Sequence, residues 1–138
     1  MDFHRILVPV AGTAADDEAL RMACFLAKKN KAKVWVVYII ILKRSLPVDA
    51  EVEAEIKQGE EILDHMETVA EEADYQIETD LLQSREAGPT IVDEAMGHSV
   101  DLIIMGIKYK RRLGQFSLGN VVPYVLKNAS CRVMLYQQ

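Results

Sequence analysis

Four basic side chains stand close together late in this otherwise acidic chain. They are Lys108, Lys110, Arg111 and Arg112, whereas the 138 residues together carry a formal net charge of -5. Gly106 precedes the basic cluster, and Gly119 and Asn120 follow it where a helix is predicted to begin. Cations beside a helix start suit an anion such as phosphate. A solvated loop with turn glycines has the same composition, so both interpretations stay open at this point.

A second glycine-containing segment follows the first predicted strand. It comprises Pro9, Val10, Ala11, Gly12 and Thr13. In an open α/β sheet, ligands bind beyond the carboxyl ends of the strands, at the point where the strand order reverses. The two glycine-containing segments are therefore predicted to border one ligand site.

The elements that position these segments follow from hydrophobic periodicity. Short apolar runs alternate with helical patterns, which predicts βαβ units on a parallel sheet. Strands are predicted at residues 5–10, 33–42, 76–82, 101–106 and 131–136. The first, second and fourth are nearly continuous in Val, Ile and Leu, as buried parallel strands require. The third alternates apolar and polar residues, which favours an edge of the sheet.

Four helices are predicted between the strands. The first begins after Thr13, where Asp16 completes a capping-box-like start, and ends at Asn30. The others are predicted over residues 49–73, 88–97 and 120–129. Asn120 is the predicted cap of the last helix. Asp16 and Asp17 are interpreted as acids that favour a first helical turn.

Composition limits the classes of function. A chain of 138 residues suits one domain, here taken as residues 1–138. The negative net charge argues against a nucleic-acid binder. No apolar run reaches the roughly 18 to 20 residues that span a bilayer, and the first residues do not resemble a signal peptide. The cytoplasm is therefore the expected location.

Residues that could perform catalysis or bind metal are not arranged in a recognisable pattern. The P-loop, the G-x-G-x-x-G fingerprint and the G-x-S-x-G motif do not occur in the sequence. Cys24 and Cys131 are far apart in sequence and are predicted to be buried thiols. The histidines show no ligand spacing: His4, His65 and His98. Neither a catalytic residue nor a metal ligand is predicted, and Trp35, Tyr38 and Tyr75 are interpreted as packing residues.

The spacing Gly106-x2-Tyr109-x9-Gly119-Asn120 resembles the Gly-x2-Gly-x9-Gly-(Ser/Thr) loop of the universal stress protein family. The resemblance covers the whole chain, including the first strand, the strand before Gly106 and the closing rhythm Val125-Leu126-x4-Cys131-Arg132-Val133. It implies an α/β fold with a doubly wound, five-stranded parallel sheet in the order 3-2-1-4-5 and helices on both faces. That fold is Rossmann-like, of the adenine nucleotide alpha hydrolase type. It further implies a regulatory role in stress response.

The resemblance also implies a nucleotide site. Adenine is expected at Ala11 and near Ile39. The ribose and phosphates are expected at Met105, Gly106, Gly119, Asn120 and Val121. Lys108, Arg111 and Arg112 can add charge-assisted contacts to phosphate. The expected cofactor is ATP or AMP, with Mg²⁺ if it is ATP, and slow ATP hydrolysis stays open although the protein is not predicted to be an enzyme.

Three positions depart from the family pattern. Ala11 stands where ATP-binding members usually carry Asp, and Tyr109 replaces the second loop glycine. Asn120 replaces Ser or Thr, which is a milder change because Asn can also cap a helix. Tyr109 is predicted to occlude the site or to stack on a nucleotide, unless it is a plain surface aromatic. These departures predict weak or altered binding instead of tight ATP binding.

The alternative is a protein-interaction module of the same fold that binds no nucleotide. Family members commonly dimerise through the last strand, and an apolar strand on a sheet edge suits pairing across a two-fold axis. The predicted interface is Arg132, Val133, Met134, Leu135 and Tyr136. A homodimer is thus the expected assembly.

Overall fold

The computed structural model of the protein describes residues 2–108, 110–112, 115–117 and 120–137, and for 110–112 and 115–117 it describes the backbone alone. The strands are β1 Arg5–Val10, β2 Lys33–Ile41, β3 Glu78–Ser84, β4 Leu102–Ile107, β5 Lys110–Arg112, β6 Gln115–Ser117 and β7 Arg132–Gln137. The helices are α1 Ala14–Asn30, α2 Glu53–Glu72, α3 Ala87–Gly97 and α4 Val121–Asn128. Within the described residues, no helix is both long and apolar enough to cross a membrane.

Five strands form one parallel sheet in the order β3-β2-β1-β4-β7. The predicted order 3-2-1-4-5 is confirmed, with β7 as its fifth strand. The three strands predicted to lie inside, β1, β2 and β4, have a neighbour on each side. The alternating strand β3 lies at one edge, as its pattern predicted, and β7 lies at the other edge.

Helices cover both faces of the sheet because successive strand residues point to opposite sides. In β1, Ile6 and Val8 pack in the core beneath α1 and α2, whereas Leu7 packs in the core beneath α3 and α4. All three are fully buried. A strand that is buried on both faces must be apolar at every position, which accounts for the continuous Val, Ile and Leu runs.

Element ends differ from the predictions by a few residues. Strand β3 extends to Ser84 because it pairs with β2 to the end of that strand, where Ile41 is opposite Ser84. Helix α2 begins at Glu53 and not at residue 49. The Ala50 backbone N–H donates to the Pro47 carbonyl at 3.0 Å, so residues 47–50 form a turn.

The segment that joins β4 to α4 is not a simple loop, which corrects the prediction for residues 106–120. Strands β5 and β6 pair antiparallel, with Arg111 opposite Phe116. Leu113 and Gly114 separate the two strands in the sequence and lie outside the described residues.

The polar stretch that leaves β2 is attached to the carboxyl end of β3. The Arg85 guanidinium donates to the carbonyls of Lys43 and Leu46. The Gln83 side chain donates to the Val48 carbonyl at 2.8 Å and to the Ala50 carbonyl at 3.0 Å. These bonds hold the stretch at the same end of the sheet as the glycine-containing segments.

Candidate functional site

A cavity of about 360 Å³ opens at the carboxyl ends of β1, β2 and β4. From β1 the chain proceeds outward to β2 and β3, and from β4 it proceeds outward to β7 in the opposite direction. The cavity therefore lies where the strand order reverses, which is the usual ligand position in such sheets. Its volume is within the range of small-molecule sites.

Many of the residues that sequence assigned to the nucleotide line this cavity. They are Pro9, Val10, Ala11, Ile39, Met105, Gly106, Lys108 and Val121. Gly12 and Thr13 line a neighbouring pocket between α1 and α2, and Asn120 lines a third pocket beside the start of α3. Tyr109 and Gly119 lie outside the described residues, as do the side chains of Arg111 and Arg112.

The cavity has further wall residues that sequence reasoning missed. They are Asp16, Val37, Tyr38, Ile41, Ala87, Ile91, Ile107 and Val122. Part of this set could have been found, because Val37, Ile39 and Ile41 alternate along β2 and must share one face. Tyr38 packs against the core beneath α1 and α2, as predicted, and it also borders the cavity. The contribution of α3 follows from tertiary packing and has no local signal.

The Asp16 carboxylate closes the turn after β1. It accepts hydrogen bonds from three successive backbone N–H groups, those of Ala11 at 3.1 Å, Gly12 at 2.7 Å and Thr13 at 2.8 Å. The Thr13 contact is the Asp16 half of the predicted capping box. The side chain is buried, and burial raises its pKa against the opposing effect of the three donors. Asp16 is therefore more than a first-turn acid, because it occupies the donors that would otherwise face an anion.

The two strand-end glycines are required for different reasons. Gly12 has a φ of +85°, a backbone conformation that residues with a Cβ rarely adopt. Gly106 is needed because α1 comes very close to β4: a Cβ there would lie 2.2 Å from the Ala15 carbonyl oxygen. Gly106 thus has a packing role that is independent of any ligand.

The opposite side of the cavity is lined by a lysine and by the start of a helix. Lys108 is exposed and lines it at the end of β4. Val121 and Val122 bring the first turn of α4 to the same wall, and helix N-termini favour negative charge. Asn120 precedes this turn, but its side chain forms no capping hydrogen bond within the described residues. The predicted capping role of its side chain is therefore not observed.

The strand predicted to form a dimer interface, β7, lies at an edge of the sheet. Strand β7 has β4 as its neighbour and no second strand beyond it in the sheet as described. Arg132 is exposed, and Val133, Met134, Leu135 and Tyr136 are half-buried. Met134 packs toward the α1–α2 core, whereas Val133 and Leu135 pack toward the α3–α4 core.

Both cysteines are free thiols, and the prediction that they are buried is confirmed for Cys24 but not for Cys131. Cys24 is buried within the core beneath α1 and α2, and Cys131 is half-buried. Burial raises the pKa of both thiols. A raised pKa disfavours the thiolate, which is the nucleophilic form.

The sheet order defines a doubly wound α/β protein, with a cavity at the point where the strand order reverses. Residues 2–137 match the model of the universal stress protein family, so the chain belongs to that family. It is 30% identical to a universal stress protein of Methanocaldococcus jannaschii over 99% of this chain and 83% of that protein.

Solved structures share the fold. A universal stress protein from Archaeoglobus fulgidus in complex with dAMP superposes with a TM-score of 0.76 at 20% identity, covering 98% of each chain. A universal stress protein family protein from Arabidopsis thaliana with AMP bound gives a TM-score of 0.67 at 14% identity, covering 98% of this chain and 92% of that one. At these identities the likeness concerns the fold.

Proposed function

We propose that this chain is a single-domain regulatory protein of the universal stress type, spanning residues 1–138, that binds an adenine nucleotide or another phosphate ligand. The base would occupy the cavity between β1 and β2, and the phosphates would lie toward Lys108 and α4. The observation that carries the proposal is the position of the cavity, which lies where the strand order reverses and has Lys108 among its lining residues. The role in stress response is the one that family membership suggests.

The chemistry of the walls supports a flat apolar group joined to an anion. Val37, Ile39 and Ile91 present apolar surface, which suits the faces of a purine ring. Lys108 supplies a cation at the opposite wall. The dAMP and AMP in the two related structures described above contain both parts, a purine and a phosphate.

The same walls suggest that binding is weak. Ala11 offers no side-chain acceptor to the nucleoside, and its backbone N–H already donates to Asp16 at 3.1 Å. The Asp16 carboxylate also adds negative charge to the β1 side of the cavity. A nucleotide phosphate is therefore expected to avoid the β1 turn and to approach α4. AMP or ATP with Mg²⁺ are the ligands to test first.

Nucleotide extraction tests this proposal. The purified protein is denatured with acid, and the supernatant is analysed for adenine nucleotides. In parallel, thermal unfolding is followed with increasing AMP, or with increasing ATP and Mg²⁺. A ligand that binds only the folded state stabilises it by about 2.7 kcal/mol at 100 times its dissociation constant. If no nucleotide is released and millimolar nucleotide leaves the melting temperature unchanged, the proposed ligand is wrong.

A pair of variants tests the position of the base. Ala11→Asp restores the acceptor that ATP-binding members of the family usually carry, so the affinity for ATP should increase. Ala14→Asp is the control, since Ala14 is exposed in the first turn of α1 and lines the neighbouring pocket instead. Combining Ala11→Asp with Tyr109→Gly should increase the affinity further. Equal titration heats for all these proteins would place the site elsewhere.

A dimeric interaction module that binds no nucleotide is the second candidate. The edge position of β7, with half-buried apolar residues along it, favours this function. Light scattering at micromolar concentration should show a dimer, and Tyr136→Lys should shift it toward monomer. Leu126→Lys makes the same kind of change on α4, where Leu126 is 49% exposed, and should leave the dimer intact. A wild-type monomer would exclude dimerisation through β7.

The proposal assigns binding and no catalytic step, and it takes the cytoplasm as the site of action. Among the described residues, the acid that lines the cavity is Asp16. Its oxygens accept three backbone hydrogen bonds, which leaves it poorly placed to accept a proton from a nucleophile. Release of phosphate from ATP by purified protein, at a rate abolished by Asp16→Asn, would contradict this part of the proposal.

A further inference from the structure

Three side chains that could bind a metal meet on the face of the sheet covered by α3. Asp80 lies on β3, and Glu94 and His98 lie at the end of α3. His98 Nε2 is 3.2 Å from a Glu94 carboxylate oxygen and 3.8 Å from an Asp80 carboxylate oxygen. One ligand atom from each of the three residues lies within 4.8 Å of the others.

The fold brings these residues together although their spacing along the chain shows no ligand pattern. Glu94 and His98 are four residues apart, so they share one face of the helix. Asp80 is two residues before Leu82 on β3, so it shares the face on which Leu82 packs against the core beneath α3 and α4. Sequence spacing indicated no ligand role for His98, because the third residue comes from a different element.

His98 is held in a fixed orientation. Its ring stacks on Trp35 with the ring centroids 4.5 Å apart and the planes at 17°. Its carbonyl oxygen accepts a hydrogen bond from Arg5 Nε at 2.7 Å. A ligand that is already oriented loses less freedom when it binds a metal. This stack directs the Nε2 edge of the imidazole toward the two carboxylates.

The local electrostatics favour a cation between the carboxylates. Two acids face each other at the C-terminal end of α3, and a helix C-terminus adds partial negative charge. Arg5 and Lys33 are near the Trp35 ring that stacks on His98, at 5.4 and 5.5 Å from its centroid. Lys33 is paired with Glu78 at 3.3 Å. Within the described residues, the ion-pair partner of both Asp80 and Glu94 is His98, and neither acid is paired with a lysine or an arginine.

We propose that Asp80, Glu94 and His98 bind one divalent transition-metal ion of the Zn²⁺ class. Zn²⁺ binds imidazole nitrogen and carboxylate oxygen at about 2.0 to 2.2 Å, so two of its ligand atoms lie roughly 3 to 3.5 Å apart. The His98–Glu94 pair already has this separation, and Asp80 needs only a small side-chain adjustment. The side chains of Asp80, Glu94 and His98 are 40%, 26% and 32% exposed, so water can complete the coordination.

This site is separate from the proposed nucleotide cavity. Ala87, at the start of α3, lines the cavity, whereas His98 follows the last residue of the helix. Eleven residues of α-helix span roughly 16 Å. Metal binding and nucleotide binding can therefore be tested independently.

Quenching of Trp35 fluorescence reports metal binding at this site specifically. Trp35 is the sole tryptophan of the chain, and its ring stacks on the proposed ligand. Saturable quenching is expected when Co²⁺ or Ni²⁺ is added, with a stoichiometry of one. Calorimetry with Zn²⁺ should give the same stoichiometry. His98→Gln and Glu94→Gln should each weaken Zn²⁺ binding by more than about tenfold.

Two controls separate this site from other metal-binding groups. His65 also contacts a carboxylate, with Nε2 2.9 Å from Asp17, but it is 57% exposed and has a single acidic partner. His65→Gln should leave both the Zn²⁺ affinity and the quenching unchanged. Thiolate charge-transfer absorption with Co²⁺ should be absent, since the cysteines are not ligands in this proposal.

Several outcomes would overturn the proposal. One is the absence of saturable binding of Zn²⁺ at micromolar protein. Another is binding that survives Glu94→Gln, which leaves the stack of His98 on Trp35 in place. A third is binding that is lost in His65→Gln, or that is accompanied by thiolate charge-transfer bands. Near-ultraviolet circular dichroism of Trp35 in each metal-free variant checks that the fold is intact.

Discussion

The turns after β1 and β4 reach the same cavity, and each contains glycine, but they use their polar groups differently. In the β1 turn, the carboxylate of Asp16 accepts the N–H groups of Ala11, Gly12 and Thr13. After β4, the polar group that lines the cavity is the cation of Lys108. The first turn supplies its own anion, whereas the second presents positive charge.

This difference indicates which wall a phosphate would approach. Backbone N–H groups that already contact a carboxylate cannot bind a second anion without displacing it. A cation and the start of α4 make the opposite wall electrostatically favourable. Two glycine-containing turns that look equivalent in sequence are thus expected to have opposite preferences for an anion.

The largest effect is expected from a Cβ at the end of β4. In Gly106→Ala the new methyl group would lie 2.2 Å from the Ala15 carbonyl oxygen, so α1 and β4 must separate. We expect a loss of about 3 kcal/mol of folding free energy, at the upper end for an overpacked core, measured by urea denaturation. Gly97→Ala is the matched control, since nothing lies within 4 Å of its new Cβ. A tolerated Gly106→Ala would contradict the packing role of this glycine.

The next largest effect is expected at Asp16. In Asp16→Asn the amide can replace one oxygen acceptor, but its NH₂ group faces backbone donors. We expect a loss of about 2 kcal/mol, the typical cost of buried donors left without a partner. Asp17→Asn removes the neighbouring acid, which pairs with His65 near the surface, and should change stability by less than about 0.5 kcal/mol. Similar losses in the two variants would contradict an internal anion in the β1 turn.

The pH dependence of stability tests the ionisation of Asp16. Burial raises the pKa of this carboxyl above its ordinary value of 3.8, so the folded protein holds the proton more tightly than the unfolded chain does. The stabilisation that comes from holding this proton in the folded state is complete below pH 3.8, and it is lost as the pH rises through the folded-state pKa. The stability of the wild type relative to Asp16→Asn should therefore fall with rising pH in this acidic range. A rise would show that the three N–H donors outweigh burial.

A smaller effect is expected at the opposite wall. Lys108→Ala should weaken nucleotide binding by about fivefold, which corresponds to roughly 1 kcal/mol for an exposed charge. Because Lys108 is exposed, stability should not change, and the loss should shrink at high salt. Lys127→Ala removes an exposed lysine from the last turn of α4 and should leave affinity unchanged. Equal affinities for both variants would remove the electrostatic basis of the comparison.

The parts of the molecule that sequence predicted are those with strong local signals. Continuous apolar runs identified β1, β2 and β4 as inner strands, and the alternation in β3 identified an edge. The strand order was implied by the family resemblance and is confirmed by the structure. The hairpin of β5 and β6 was missed because its strands are three residues long and lack an alternating pattern.

From the residue pattern alone, the site was predictable only where residues follow a strand end, whereas Ile39 and Val121 were assigned through the family resemblance. Ala11 and Gly106 could be assigned to the carboxyl edge because they lie at or just beyond the ends of predicted strands. Ile91 reaches the cavity only through the packing of α3 against β2, which no local pattern reports. The same holds for the meeting of Asp80 with His98. Asp16 was recognised as a helix acid, but its burial against three N–H groups depends on the shape of the turn.

The smallest effect is expected at Asn120, and it sharpens the contrast between the two turns. A capping Asn normally has an extended backbone and contributes about 1 kcal/mol. Asn120 instead has helical angles, φ of -98° and ψ of -27°, and its side chain forms no capping bond within the described residues. Asn120→Ala should therefore cost less than about 0.5 kcal/mol in urea denaturation. A loss near 1 kcal/mol would mean that α4, like α1, is capped by its own side chain, and the argument that phosphate favours this wall would lose one of its two supports.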